Sequence, residues 1–90
     1  MTLLRLNLTD RGAMAERMRA ARWRAGLSMS VVASETGVTI NAVKAWEKGS
    51  IPEDATRAKL AALYGMEEPV LFAEYEAEVQ RRLELLRPPA

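Results

Sequence analysis

The side chains best suited to recognise another molecule are Asn41 and Lys44, which lie three residues apart in a short predicted helix. Residues with this spacing share one face of a helix, so the amide and the ammonium group would point the same way. Ile40, Ala45 and Lys48 belong to the same outward side. Because an amide both donates and accepts hydrogen bonds and an ammonium donates them, this surface is suited to lie in the major groove of DNA.

The segment that must hold this surface runs from Ser28 to Gly49 and reads as two short helices joined at Gly37. Ala33 precedes that glycine by four residues and is small enough to let the two helices cross closely. The glycine itself tolerates the positive φ that the turn requires. This spacing is typical of a helix-turn-helix. Its inward core is predicted to comprise Val32, Ala33, Gly37, Val38, Val43 and Trp46.

The remainder of the chain predicts an all-α protein in three parts: an N-terminal arm or strand (1–9), a helix-turn-helix domain (10–66) and a C-terminal helix (67–90). Periodic apolar residues, capping residues and glycine stops set the helix bounds. The expected helices run from an Asp10 N-cap to about Ala25, from Ser28 or Met29 to Thr36, from a Thr39 N-cap to Gly49, from about Asp54 to Tyr64, and from Glu67 to Leu86.

The N-terminal arm contains Leu4, Leu6 and Leu8 in alternation with polar residues, which is the periodicity of a strand. A lone strand needs a partner for its backbone donors and acceptors, and no second strand pattern follows. Two interpretations stay open. The strand pairs with a second copy or another protein, or the segment lies as an extended arm on the helices.

The C-terminal helix carries a narrow apolar stripe. Such a stripe suits another helix, so it is a candidate dimer interface together with the N-terminal leucines; the alternative is docking against the first and fourth helices of the same chain. The stripe consists of Phe72, Tyr75, Val79, Leu83 and Leu86.

Composition excludes several kinds of chemistry. The chain has no cysteine and no histidine, which rules out disulfides, thiolate or imidazole metal ligands, and Ser-His or Cys-His nucleophilic catalysis. Neither a membrane-spanning run nor a signal peptide is present, so a cytoplasmic protein with no metal, no cofactor and no membrane association is expected.

Charge is distributed unevenly along the chain although the net charge is only +1. Residues 1–65 hold ten Lys or Arg against six Asp or Glu, whereas residues 66–90 hold three against six. The basic part is the part that contains the helix-turn-helix pattern. This bias fits phosphate binding, or it is ordinary scatter in a chain with 28% charged residues.

From about Met14 to Met66 the sequence resembles the lambda-repressor and Cro-type (XRE) family. The resemblance rests on the segments ARWRAGLS, VVASETGVTINAVKAWEKG and ALYGM. It implies a lambda-repressor-like five-helix domain whose third helix enters the major groove. Matched by position, the residues that would contact base edges are Ile40, Asn41, Lys44 and Ala45.

The resemblance also implies contacts to the DNA backbone and one structural ion pair. Arg22 on the first helix and Glu47 at the end of the third match a family ion pair; the alternative is two unrelated surface charges. Met29 stands where many members have glutamine, which leaves its backbone amide as the contact. The candidate phosphate contacts are Ser28, Met29, Thr39, Lys48, Arg19 and Arg24.

These observations predict a DNA-binding transcription regulator, most simply a repressor that binds a two-fold operator as a homodimer. The alternative is a protein-interaction module or antitoxin that binds a protein partner through the C-terminal helix or the N-terminal strand. An enzyme is not expected, since the paired carboxylates Glu53-Asp54 and Glu67-Glu68 lie at helix starts, where acidic residues are favoured electrostatically, and no nucleophile accompanies them.

Overall fold

The computed structural model describes residues 7–87, and every regular element within that range is a helix, which confirms the all-α prediction. The six helices are α1 (Leu8–Arg24), α2 (Met29–Thr36), α3 (Ile40–Trp46), α4 (Asp54–Tyr64), α5 (Glu68–Leu71) and α6 (Ala73–Leu86). The predicted bounds of α2 and α4 agree closely with these. The predicted strand residues Leu4 and Leu6 lie outside the described residues.

Helix α1 begins earlier than predicted. Its N-cap is Asn7, whose side-chain oxygen accepts a hydrogen bond from the Asp10 amide at 2.8 Å. Asp10 is therefore not the cap but an acidic residue in the first turn, where its negative charge interacts favourably with the positive end of the helix dipole. Leu8 is the first residue of this helix and is highly exposed, so the prediction that it belongs to a strand is wrong. The Asp10 amide comes within reach of the Asn7 side chain only when the first turn of the helix has formed.

The core lies between α1, α2, α3, α4 and α5. Helix α2 packs against α3 and α4, while α1 packs against α4, α5 and α6. Methionine and alanine on the inner face of α1 allow the other helices to approach closely, and leucine and phenylalanine from the C-terminal part fill the remaining space. The buried core residues are Met14, Met18, Ala21, Val32, Ala33, Val43, Trp46, Leu60, Ala61, Leu71 and Phe72.

The single C-terminal helix predicted from Glu67 to Leu86 is divided in two at Phe72. This residue has φ −115° and ψ 41°, outside the helical region. Leu71 and Phe72 are both fully buried, so the break lies where two consecutive large side chains enter the core. Phe72 is consequently a core residue of its own chain, and its assignment to a dimer interface is wrong.

The rest of the predicted stripe changes from covered to exposed along α6. Tyr75 is half-buried and its ring lies under the Arg57 guanidinium, 4.1 Å from the ring centroid. Val79 is half-buried, whereas Leu83 is 54% and Leu86 is 79% exposed. The first part of the stripe thus docks on its own chain, and the last two leucines are left uncovered within residues 7–87.

An ion pair between α1 and α6 holds the C-terminal part in place. The Arg17 guanidinium donates to both Glu74 carboxylate oxygens, at 2.7 and 2.8 Å, and also to the Leu71 carbonyl at 3.1 Å. Because the pair is bidentate, it is stronger than an ordinary ion pair on the protein surface. The hydrogen bonds from Arg17 lower the pKa of Glu74 below its usual value.

The Glu74 ion pair predicts a pH-dependent contribution to stability. Because the folded-state pKa is depressed, the stabilisation is present above the unfolded pKa, near 4.3, and is lost as the pH falls through the folded value. The melting temperature of Glu74→Gln should therefore lie a few degrees below wild type at pH 7, and the gap should close in acid. Thermal unfolding from pH 7 to pH 2 measures this. Glu76→Gln is the matched control, and a gap independent of pH would contradict the prediction.

Candidate nucleic-acid interface

The turn between α2 and α3 is built around Gly37. This residue ends α2 in the left-handed conformation, with φ +74° and ψ 30°. The amide of Val38 donates to the Ala33 carbonyl at 3.0 Å, which satisfies one of the free carbonyls at the helix end. A residue with a side chain is strained at this φ, so the glycine fixes the direction in which α3 leaves the turn.

The inward side of the motif is packed as its sequence pattern indicates. Val32 and Val43 are fully buried, and Ala33 and Trp46 are nearly so. Val38 is half-buried and packs against the same cluster. With these residues inside, rotation of α3 about its own axis is fixed, and the side that carries Asn41 and Lys44 must face outward.

The outward side of α3 is uncovered in the part of the chain that the structure describes. Ile40 is 42% exposed, so it is not a core residue. Asn41 and Lys44 are exposed, and Ala45 is half-buried at the edge of this side. Helix α3 ends at Trp46 rather than at Gly49 as predicted, so Lys48 lies exposed in the turn that follows. We call the four residues Ile40, Asn41, Lys44 and Ala45 the α3 outer face.

Two hydroxyl groups mark the starts of α2 and α3. The Ser28 oxygen accepts from the Val31 amide and the Thr39 oxygen accepts from the Ala42 amide, each at 3.2 Å. A hydroxyl that accepts a hydrogen bond keeps its own proton to donate. Both groups are exposed and are available to a phosphate oxygen. The Met29 side chain packs against the core, and its backbone amide belongs to the first turn of α2, next to the Ser28 cap.

Arg22 and Glu47 form a buried ion pair between α1 and the end of α3. Arg22 Nε donates to Glu47 Oε2 at 2.7 Å and Nη2 donates to Oε1 at 3.0 Å, while Nη1 reaches the Leu27 carbonyl at 3.1 Å. The Glu47 side chain is only 4% exposed. The hydrogen bond to Glu47 raises the pKa of Arg22, and burial, with the Glu47 charge adding to it, raises the pKa of Tyr64 to about 12.

Arg19 has a structural contact that the sequence did not indicate. Its Nη2 donates to the Glu47 carbonyl at 2.8 Å, and its Nη1 donates to Glu16 Oε1 at 2.8 Å. The guanidinium therefore caps the last turn of α3 from outside, where a positive charge is favourable. In the sequence, the only feature that indicates this contact is the spacing of three residues between Arg19 and Arg22. Residues with that spacing share one face of a helix, and in α1 that face lies toward α3.

Arg24 lies away from this region. It follows Arg22 by two residues, which places it about 200° around α1, on the opposite side of the helix. It is exposed, and its nearest polar contact is a weak one from Nη2 to the Met66 sulfur at 3.5 Å, at the junction of α4 and α5. The structure thus does not bring Arg24 together with the α3 outer face.

Within residues 7–87 no group of acidic side chains is arranged to hold a metal ion. No helix in the same range is long and apolar enough to span a bilayer. Asp54, one of the acidic residues after α3, is paired with Arg57 on α4. Its charge is therefore partly balanced within its own helix.

The crossed α2 and α3, with their glycine turn, packed inner side and free outer face, define a helix-turn-helix domain. A family model described as a helix-turn-helix domain matches residues 13–74 of the 90-residue chain, and the chain belongs to this family. The match spans α2 and α3 together with most of α1, all of α4 and α5, and the start of α6. No curated protein and no solved structure matches the chain. The family and the fold together indicate a DNA-binding regulator.

Proposed function

We propose that this protein is a sequence-specific regulator of transcription that acts as a repressor, binding a two-fold operator as a homodimer. The observation that carries the proposal is the α3 outer face, which stays uncovered while the opposite side of α3 is buried. An exposed amide and an exposed ammonium group one turn apart supply hydrogen bonds that distinguish base pairs in the major groove.

The assigned contacts divide into base readers and positioning groups. Asn41 is matched to the hydrogen-bonding edge of adenine and Lys44 to O6 or N7 of guanine, while Ile40 and Ala45 suit the methyl group of thymine. The Ser28 and Thr39 hydroxyls, the Met29 amide and Lys48 would bind phosphates and set the register. With two strong hydrogen-bonding readers in the α3 outer face, one domain alone should bind weakly.

A homodimer overcomes this weakness. Two copies related by a two-fold axis place their recognition helices about 34 Å apart, one turn of B-DNA, so the second half-site is bound at high effective concentration. Occupying an operator that overlaps a promoter then suffices for repression, because no catalytic step is needed. The exposed Leu83 and Leu86 of α6 support a contact surface of this kind.

A second candidate function uses the same exposed leucines differently. An antitoxin or other protein-interaction module would cover the end of α6 with a partner protein, with or without DNA on α3. Salt dependence separates the two. DNA binding through phosphate contacts weakens steeply between low and moderate salt, whereas an apolar contact at Leu83 and Leu86 changes little.

The base readers predict single-position losses of specificity. In Asn41→Ala and in Lys44→Ala, preference should disappear at one base pair in each half-site, a loss of about 1–3 kcal/mol of discrimination. Selecting bound sequences from a random duplex pool with each variant measures this, and the losses should mirror each other across the operator. Lys59→Ala, an exposed lysine on α4, is the control. If both variants select the wild-type sequence, the assigned readers are wrong.

A further inference from the structure

Arg11 lies against the turn that follows α3, although it belongs to the start of α1. A Cβ placed on Gly49 would stand 3.4 Å from the Arg11 Cβ, so the two backbones approach closely there. Gly49 is buried and has φ +118°, a conformation that favours glycine. The exposed residues Lys48 and Ser50 flank it. Arg11 is thus a neighbour of the turn at the C-terminal end of the recognition helix.

Arg11 differs from Arg17, Arg19 and Arg22 on the same helix in having no ionic partner. Arg17 pairs with Glu74, Arg19 with Glu16, and Arg22 with Glu47. Within residues 7–87 Arg11 forms no ion pair, and its Nε is buried without any hydrogen-bond acceptor. Burying this donor without an acceptor costs free energy, and the half-buried side chain still presents part of its surface, and its positive charge, to an anion in solvent.

The dimensions of the groove place an anion near this position. Helix α3 has seven residues and is therefore about 10 Å long. The major groove is about 12 Å wide and is bordered on both sides by sugar-phosphate backbones, so the turns that flank such a short helix lie near phosphates. At the start of α3 the exposed Thr39 hydroxyl is available to one backbone. At its other end the available cations are Lys48 and Arg11.

We infer that Arg11 binds a phosphate of the DNA backbone beside the C-terminal end of α3, together with Lys48. The inference rests on the proposed function, and it adds a residue that is separated from the motif by a long stretch of sequence. The α3–α4 loop itself continues into the acidic residues Glu53 and Asp54. Arg11 adds from α1 a second positive charge to the one that Lys48 provides in this loop.

The test compares Arg11→Met with Arg81→Met on a mixed-sequence duplex of about 20 base pairs, two half-sites long. Methionine keeps an unbranched stem and removes the unsatisfied donor, so Arg11→Met should unfold at or slightly above the wild-type temperature. Arg81 is an exposed residue of α6, paired with Glu78, and gives the same change of charge away from α3. Arg11→Lys keeps the charge.

The expected result follows from counterion release. Each phosphate contact contributes about 0.9 to the slope of log affinity against log salt. Each Arg11 lost should weaken binding about eightfold at 0.1 M salt and about fourfold at 0.2 M, so the homodimer, which loses two, should bind about 60-fold and about 18-fold more weakly, relative to no loss at 1 M. The loss should be the same on the mixed-sequence duplex and on the duplex selected by wild type. Arg81→Met should change neither affinity nor slope by a comparable amount, and Arg11→Lys should keep the wild-type slope.

Three results would overturn the inference while leaving the proposed function in place. The first is equal weakening by Arg11→Met and Arg81→Met, which would indicate a general effect of charge. The second is a marked fall in the melting temperature of Arg11→Met, which would make Arg11 a structural residue. The third is weakening confined to the selected duplex, which would indicate base reading. Wild-type protein that binds no duplex at all would instead reject the proposed function, and this inference with it.

Discussion

Replacing Glu47 by alanine is expected to lower the free energy of unfolding by about 3–5 kcal/mol, the cost of removing one partner from a buried ion pair. The variant leaves the Arg22 guanidinium nearly buried, with the acceptor for its Nε and Nη2 removed. The remaining hydrogen bond to the Leu27 carbonyl does not balance the charge. The end of α3 would lose its link to α1, so DNA affinity should fall as well.

Thermal and urea unfolding of the purified variants measure this effect. Glu76→Ala is the matched control, since Glu76 is a half-exposed carboxylate on α6 and forms no ion pair within residues 7–87. The double variant Arg22→Met with Glu47→Leu should be much closer to wild type than Glu47→Ala, because it removes both charges together. Equal effects of Glu47→Ala and Glu76→Ala would show that the Arg22–Glu47 pair does not hold α3.

Replacing Phe72 by alanine should lower the free energy of unfolding by a similar amount, about 3–5 kcal/mol, because a fully buried aromatic ring leaves a large cavity. For a domain of this size, about 1 kcal/mol corresponds to roughly 4–8 °C in melting temperature. The loss should not depend on protein concentration, since Phe72 fills the core of its own chain. This result would show that α5 and the start of α6 are part of the folded domain.

Controls for Phe72 come from the same chain. Phe72→Leu keeps most of the volume and should lose far less stability, which guards against a variant that fails to fold. Leu83→Ala removes an exposed side chain and should leave the unfolding of the monomer nearly unchanged. If Leu83 lies in a dimer contact, its variant lowers the melting temperature at high protein concentration and not at low concentration. A small, concentration-dependent effect of Phe72→Ala would contradict the core assignment.

The helix-turn-helix could be predicted from sequence because its determinants are local. Small, β-branched and aromatic residues at fixed spacing define the inner side of α2 and α3, and a glycine with positive φ joins them. The capping residues Ser28 and Thr39 act on amides three positions away. Each of these features depends on neighbours within one or two helical turns, so the sequence pattern predicts them directly.

The C-terminal part was predicted less well because its structure depends on distant residues. A narrow apolar stripe on one helix indicates that something covers it but does not identify the cover. The fully buried Phe72 shows that the first part is covered by the chain itself, and the exposure of Leu83 and Leu86 shows that the last part is not. The break between α5 and α6 arises where Leu71 and Phe72 both enter the core, which no local pattern reveals.

The sequence by itself determined the all-α class, the helix-turn-helix and the residues of its inner and outer sides, because helical periodicity and capping act over short distances. The resemblance implied the Arg22–Glu47 ion pair, which the structure contains, but the tertiary structure alone decided the other contacts of the α1 arginines. It brought Arg19 to the Glu47 carbonyl, separated Arg24 from α3, and placed Arg11 beside Gly49. Ionic contacts between helices depend on how the helices cross, and those crossings are set by the packing of the whole core.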